Sequence, residues 1–133
     1  MAARRRTGQA PAGAGPAARL AAVGTGRGMP AAPPPPDPDF ARRVADSFAR
    51  QGAMAHLGAV LASVGPGRVE IRLPWRPELA QQDGYFHGGI VATIGDSAGG
   101  YAAYSMMPAD AAVLTVEYKI NLVAPAKGEE LVA

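Results

Sequence analysis

The sequence predicts an α+β protein, and three stretches carry that prediction. Residues 68–73 alternate charged and apolar side chains and follow the mostly apolar residues 59–64 across a glycine-proline-glycine turn, which predicts a β-hairpin. Residues 88–105 are apolar or small on nearly every side and predict a long buried helix. Residues 113–123 alternate again with a period of two and predict a strand that follows the helix.

The chain divides by composition at residue 36. Residues 1–36 contain 11 Ala, 6 Gly and 7 Pro together with five arginines and no acid, whereas the remainder has eight basic and eleven acidic residues. Such a leader buries too little apolar surface to offset the entropy cost of ordering it, so we expect a disordered arm. Alternatively, Met29 is the true start of translation, and most of this stretch lies upstream of the protein. Residues 37–133 are the predicted folded domain. Because the basic excess lies in the leader, nucleic acid is not expected as a partner.

The remaining elements follow from local signals. Asp37-Pro38-Asp39 predicts a helix start, and Phe40, Val44 and Phe48 recur every four residues on a helix that ends near Gly52. Prolines and glycine break residues 74–86 into a loop. A turn at 125–128 precedes a last strand that begins at residue 130.

Composition and spacing argue against cysteine chemistry, a histidine metal site and a membrane span. The chain has no cysteine and two histidines on separate segments, so disulfides, thiolate sites and a histidine metal site are not expected. A reducing cytoplasm is compatible with this composition. A membrane span over 88–107 is disfavoured by Asp96 at its centre and by its many glycines, and no membrane association is expected.

Asp96 is the residue that most requires an explanation. Burying a carboxylate on an apolar helix costs about several kcal/mol unless the carboxylate is hydrogen-bonded or has a functional role. If the helix begins at Gly88, its first N–H groups are unpaired and suit a developing oxyanion. Eight residues separate Gly88 from Asp96, about 12 Å along the axis, so one carbonyl contacts both only if they come from two copies related by a two-fold axis.

Other roles stay open at this point. A lone Asp in a buried helix is often a structural hydrogen-bonding residue. His87, before the paired glycines, is a candidate base or metal ligand, but without an evident partner a helix-entry contact is favoured. His56 has no supporting neighbours, and a surface or core position is favoured for it.

The ordered combination of residues resembles a known family. His87-Gly88-Gly89 followed by Asp96, then Leu114 to Tyr118 and Asn121 leading into Pro125, resembles the hotdog-fold thioesterases of the phenylacetate-degradation, PaaI-like type. The resemblance runs from about residue 40 to residue 133. It implies an antiparallel sheet wrapped around a long central helix, homodimers that often pair into tetramers, and acyl-CoA thioester substrates. No separate cofactor is implied, because CoA is part of the substrate.

The resemblance also assigns roles by position. Asp96 matches the catalytic acid, acting as general base or nucleophile, Gly88 the backbone donor that polarises the thioester carbonyl, and Thr115 a position near the attacking water. Gln81 stands where relatives often have Asn or another polar side chain. The implied substrate-binding residues are His87, Gly89 and Gln82.

The predicted strands fall short of the five or six that the family's sheet normally has, and about 40 residues of sheet are expected to be missing at the C-terminus. Two further hypotheses therefore remain open in addition to thioester hydrolysis. One is a hotdog acyl-thioester dehydratase or hydratase, whose motifs are not found here. The other is a chain that binds acyl-CoA without catalysis, or is inactive.

Overall fold

The computed structural model describes residues 17–19 and 33–133. The elements in chain order are β1 (Ala18–Arg19), α1 (Phe40–Ala49), α2 (Gly52–Leu57), β2 (Val60–Gly65), β3 (Arg68–Pro74), a 3₁₀ turn (Pro77–Leu79), α3 (Gly88–Tyr104) and β4 (Glu130–Val132). Within the predicted leader, the structure describes residues 17–19 and 33–36, and its strand β1 pairs in parallel with β4. The rest of the predicted disordered leader lies outside the described residues.

The four strands form one sheet in the order β1-β4-β3-β2. The predicted hairpin is confirmed: β2 and β3 pair antiparallel, with an irregularity between Leu61 and Ser63. Gly67 closes the turn with φ +66°, a conformation that glycine adopts without steric cost, and its N–H donates to the buried Ser105 hydroxyl at 2.9 Å. That bond attaches the hairpin turn to the residue that follows α3.

The predicted first helix is confirmed and stops at Ala49, three residues before the expected end at Gly52. Its Val44 is fully buried, and Arg43 ties it to the end of α3 by donating to the carbonyls of Tyr104 and Met107 at 3.2 and 2.8 Å. The same guanidinium pairs with Asp37 at 2.6 Å. Helix α2, which follows at once, is an element that the sequence pattern did not predict.

Helix α3 confirms the predicted central helix and packs on the sheet. Its buried residues lie at intervals of three or four along one face, Val91, Ile94, Ala98 and Tyr101. They meet the inward side chains of β3 and β4 in a single core, which includes Ile71, Leu73 and Leu131. The sheet therefore covers one face of α3, and Asp96 lies outside that face.

The predicted strand at 113–123 is wrong. No residue of this stretch pairs with a strand among the described residues, and Leu114 and Val116, expected on the apolar face, are 91% and 98% exposed. Alternation describes which side chains share a face, but a strand also needs a neighbouring backbone to supply its hydrogen bonds. The expected last strand is confirmed as β4, whose Leu131 stands opposite Leu73.

None of the helices described at residues 33–133 combines the length and the hydropathy that a bilayer-spanning segment requires.

Candidate active site

The N-terminus of α3 presents a single free backbone donor. Of its first four N–H groups, that of Gly89 donates to His87 Nδ1 at 3.0 Å, and those of Ile90 and Val91 donate to the His87 carbonyl at 2.9 and 3.2 Å. The Gly88 N–H has no acceptor among residues 33–133. The free N–H lies at the positive end of the helix dipole, where a developing negative charge is stabilised.

His87 is the N-cap of α3. Its backbone is extended, and its imidazole Nδ1 accepts a hydrogen bond from the Gly89 N–H. The helix-entry contact favoured by the sequence is therefore observed. The same bond occupies the Gly89 N–H, so Gly89 has no spare donor in this geometry.

Gln81 lies in the turn that leads back to α3. Its side-chain oxygen accepts from the Asp83 N–H, and its own N–H donates to the Tyr85 carbonyl at 2.8 Å. Gln82 is exposed. Neither glutamine lines the cleft that contains Asp96.

Asp96 lies half-buried in a cleft of about 480 Å³. Its carboxylate receives no hydrogen bond from the described residues and is therefore available to a water or a substrate. The cleft also contains Thr115, so two of the predicted catalytic residues lie together. The other residues that line it come from α1 and the two residues after it, from α3, and from the stretch just before Thr115. They are Ser47, Arg50, Gln51, Ser97, Gly100, Tyr101, Val113 and Leu114.

The wall contributed by α1 was not predicted from the sequence. Ser97 donates to Gln51 Oε1 at 3.4 Å, and the hydroxyls of Ser47 and Tyr101 are 3.3 Å apart, so α1 is held against α3 beside the acid. The sequence carried no local signal for this wall, because Arg50 and Gln51 follow the last residue of α1 and the backbone of Gln51 is extended.

Residues 113–122 run antiparallel along α3, outside the sheet. Thr115 shares the cleft with Asp96, the Tyr118 hydroxyl donates to the Ala92 carbonyl at 2.8 Å, and Leu122 lies against Gly88. A Cβ on Gly88 would come within 2.8 Å of the Leu122 Cδ1. This extended segment thus passes over both the acid and the free donor.

Tyr118 is electrostatically coupled to the acid. Burial raises the pKa of its phenol above the ordinary value, and the negative charge of Asp96 raises it further. The hydroxyl consequently stays protonated at neutral pH, as its bond to the Ala92 carbonyl requires.

Five of the predicted site residues therefore form two groups along α3, and Gln81 and Gln82 belong to neither. Gly88, Gly89 and His87 lie at its N-terminus, whereas Asp96 and Thr115 lie in the cleft two turns further on. Within the described ranges no three Asp, Glu or His side chains are placed to hold a metal ion.

Comparison with known proteins adds a family to this geometry. The family model described as the thioesterase superfamily matches residues 83–133. A curated protein of Halobacterium salinarum, whose esterase assignment is provisional, is 31% identical over 99 residues, which are 70% of this chain and 66% of that protein. The chain thus spans about two thirds of the length of that relative.

Solved structures agree with the family model. A thioesterase family protein from Silicibacter pomeroyi is 54% identical, with a TM-score of 0.69 over 70% of this chain and 68% of its own. The PaaI protein from the phenylacetic acid degradation operon of E. coli has a TM-score of 0.61 at 20% identity, over 70% and 67% of the two chains. At that identity, its similarity speaks for the fold alone.

Proposed function

The chain belongs to the thioesterase superfamily, and from this premise we propose that it hydrolyses acyl-CoA thioesters to a free acid and CoA. Its α+β architecture is the hotdog fold expected from the resemblance, with the sheet packed against one face of α3. The observation that carries the proposal is on α3, where the Asp96 carboxylate and the Gly88 N–H have no hydrogen-bond partner among the described residues.

Each group has a role in the hydrolysis. Asp96 removes a proton from a water molecule, and the water oxygen forms a bond to the thioester carbonyl carbon as negative charge develops on the carbonyl oxygen. The Gly88 N–H stabilises that oxyanion. When the intermediate collapses, the carbon–sulfur bond breaks, and the proton held by Asp96 passes to the departing thiolate. Thr115 lies beside Asp96, where its hydroxyl can orient the water.

Asp96 can also attack the carbonyl directly, in which case a mixed anhydride forms and water then hydrolyses it. Hydrolysis in ¹⁸O-labelled water under single-turnover conditions identifies the nucleophilic route when water attacks the Asp96 carbonyl of the anhydride. The label then enters the enzyme carboxylate, whereas the general-base route places it in the product acid.

The site requires two copies of the chain. Gly88 and Asp96 are eight residues apart on one straight helix, about 12 Å along its axis, which is too far for a single carbonyl. A two-fold axis that brings the N-terminus of one α3 beside the Asp96 of another makes two equivalent sites. We therefore propose a homodimer, which can pair further into a tetramer, and we keep the cytoplasm as its expected location.

Substitution of Asp96 tests the proposed reaction. We expect Asp96→Asn to lower kcat by about 10²- to 10⁴-fold, the usual contribution of a positioned general base. Asp110→Asn is the matched control, because Asp110 is an exposed residue outside the cleft. Thiol release from aryl- and fatty acyl-CoAs is the measurement, and an Asp96→Asn protein as active as the control contradicts the proposal.

Complementation tests the shared site. In a mixed dimer of Gly88→Pro and Asp96→Asn chains, one site carries both defects and the other carries neither. If half of the dimers are mixed, about a quarter of the wild-type activity returns when the two inactive proteins are combined and re-associated. A mixture that stays as inactive as its components would contradict a site built from two chains.

A further inference from the structure

Within the part of the chain that the structure describes, one arginine that lines the cleft of Asp96 has no bonded partner. Six arginines lie between residues 33 and 133, and four of them bond to carboxylates or backbone carbonyls: Arg42, Arg43, Arg72 and Arg76. Arg50 and Arg68 have no such partner among the described residues. Of these two, only Arg50 lines the cleft that contains Asp96.

The lining of the cleft combines polar and apolar groups in comparable measure. Among its lining residues only Val113 and Leu114 have alkyl side chains, and the α1 wall offers a hydroxyl, an amide and a guanidinium from Ser47, Gln51 and Arg50. Ser47 and Gln51 already bond to Tyr101 and Ser97, but an alkyl chain against Arg50 would remove its guanidinium from water without giving it a hydrogen-bond partner, which is unfavourable. An acyl group with a polar or charged end avoids that cost.

We infer that Arg50 binds a carboxylate at the far end of the acyl group, so that the preferred substrates are mono-CoA thioesters of dicarboxylic acids. This inference rests on the proposed hydrolysis, because it places the reacting carbonyl at Asp96. Arg50, the C-cap residue of α1, lines the same cleft. A guanidinium binds a carboxylate through two parallel N–H···O bonds, which combine charge with directional recognition.

The phosphates of CoA are a less suitable partner for Arg50. The long pantetheine arm separates them from the thioester carbonyl, so they lie outside a cleft of about 480 Å³ when the carbonyl is at Asp96. A purely structural role for Arg50 is the other possibility. Arg50 is the C-cap of α1, and a cation at the C-terminus of a helix is stabilised by the helix dipole. That role predicts an effect on stability and none on the choice of substrate.

The experiment compares adipoyl-CoA with hexanoyl-CoA, which have equal carbon chains and differ in one terminal carboxylate. We expect the wild-type ratio of their kcat/KM values to favour adipoyl-CoA, and Arg50→Gln to lower that ratio by about 10- to 100-fold, mainly through KM. Arg68→Gln is the matched control, because it removes an exposed, unpaired arginine outside the cleft and should leave the ratio unchanged.

Three results would overturn the assignment. The first is an Arg50→Gln ratio equal to that of the wild type, with or without a change in thermal stability. The second is a loss shared by both CoA substrates but absent from hexanoyl-pantetheine, which would identify a phosphate as the bound anion. The third is a wild-type preference for hexanoyl-CoA.

Binding measurements separate failure of this inference from failure of the proposed hydrolysis. Dissociation constants of adipoyl-CoA and hexanoyl-CoA are measured by calorimetry on Asp96→Asn and on the Asp96→Asn, Arg50→Gln double variant. If the wild type cleaves no thioester but the double variant loses adipoyl-CoA selectively, the Arg50 assignment holds and the reaction is wrong. If the single and the double variant bind adipoyl-CoA with the same affinity, the assignment is overturned, whatever the wild type hydrolyses.

Discussion

Replacing Gly88 by proline removes the proposed oxyanion donor with little change to the helix. Proline has no N–H and is favoured at the first helical position, which Gly88 occupies. The preceding His87 has φ −64° and ψ 135°, which is the conformation that a residue before proline adopts. The variant should therefore fold, and its helix content should match that of the wild type.

The expected loss follows from the count of donors. The other three N–H groups of the first turn already have acceptors at His87, so none replaces the one at Gly88. Loss of a single oxyanion donor costs about 2.7–4 kcal/mol in the transition state, or roughly 10²- to 10³-fold in kcat. The ring methylene that replaces the hydrogen also occupies the place where the carbonyl oxygen would bind.

Gly88→Ala is the matched control. It adds the same Cβ, which would come within 2.8 Å of the Leu122 Cδ1, but it keeps the N–H. Leu122 is 56% exposed, so the end of its side chain can move aside at small cost. The assay is thiol release at saturating acyl-CoA, with circular dichroism and thermal melting of both variants. A kcat for Gly88→Pro within about threefold of Gly88→Ala would refute the oxyanion role.

Three further predictions concern the support of the site. Tyr118→Phe removes the bond to the Ala92 carbonyl and should lower kcat about fivefold, equivalent to about 1 kcal/mol; an unchanged kcat in steady-state kinetics contradicts a positioning role. Asp37→Asn should lower the Tm at pH 7. The Asp39 N–H, and then Arg43, hold the pKa of the Asp37 carboxyl below 3.8, so its stabilisation is present above that pH and is lost as pH falls through the lowered value. The Tm difference from wild type should therefore close as the pH falls below that lowered value, and a difference that is constant with pH contradicts this account. Ile94→Ala should destabilise the fully buried core by about 2–5 kcal/mol in urea unfolding, and a cost under about 1 kcal/mol argues against this packing.

The elements that were predicted correctly are those whose signals are local. Helix α3 follows from a long apolar run with a histidine and two glycines at its start, and the β2–β3 hairpin from alternation after a glycine-proline-glycine turn. Helix α2 was missed because it has six residues, and a pattern that short does not display a helical period.

The same limit applies to residues 113–123. Their alternation is equally consistent with a paired strand and with an extended segment lying on a helix, and only the presence of a neighbouring backbone distinguishes the two. In the structure the segment contacts α3 through Tyr118 and Leu122 and leaves Val116 almost fully exposed.

The sequence by itself determined the distance between the two proposed catalytic groups. Gly88 and Asp96 lie on one helix, and the helical rise of 1.5 Å per residue follows from backbone hydrogen bonding whatever surrounds it. It also determined that His87 begins the helix, because capping is a contact between near neighbours.

Only the tertiary structure decided what surrounds Asp96. Thr115 and Arg50 are 19 and 46 positions away in the chain, and they share its cleft because α1 and the extended segment pack on α3. Contacts at such separations depend on the packing of whole elements, which leaves no local pattern at the residues involved. The acid and its separation from the donor could thus be predicted from the sequence, whereas the cation that suggests which acyl groups enter became visible only in the fold.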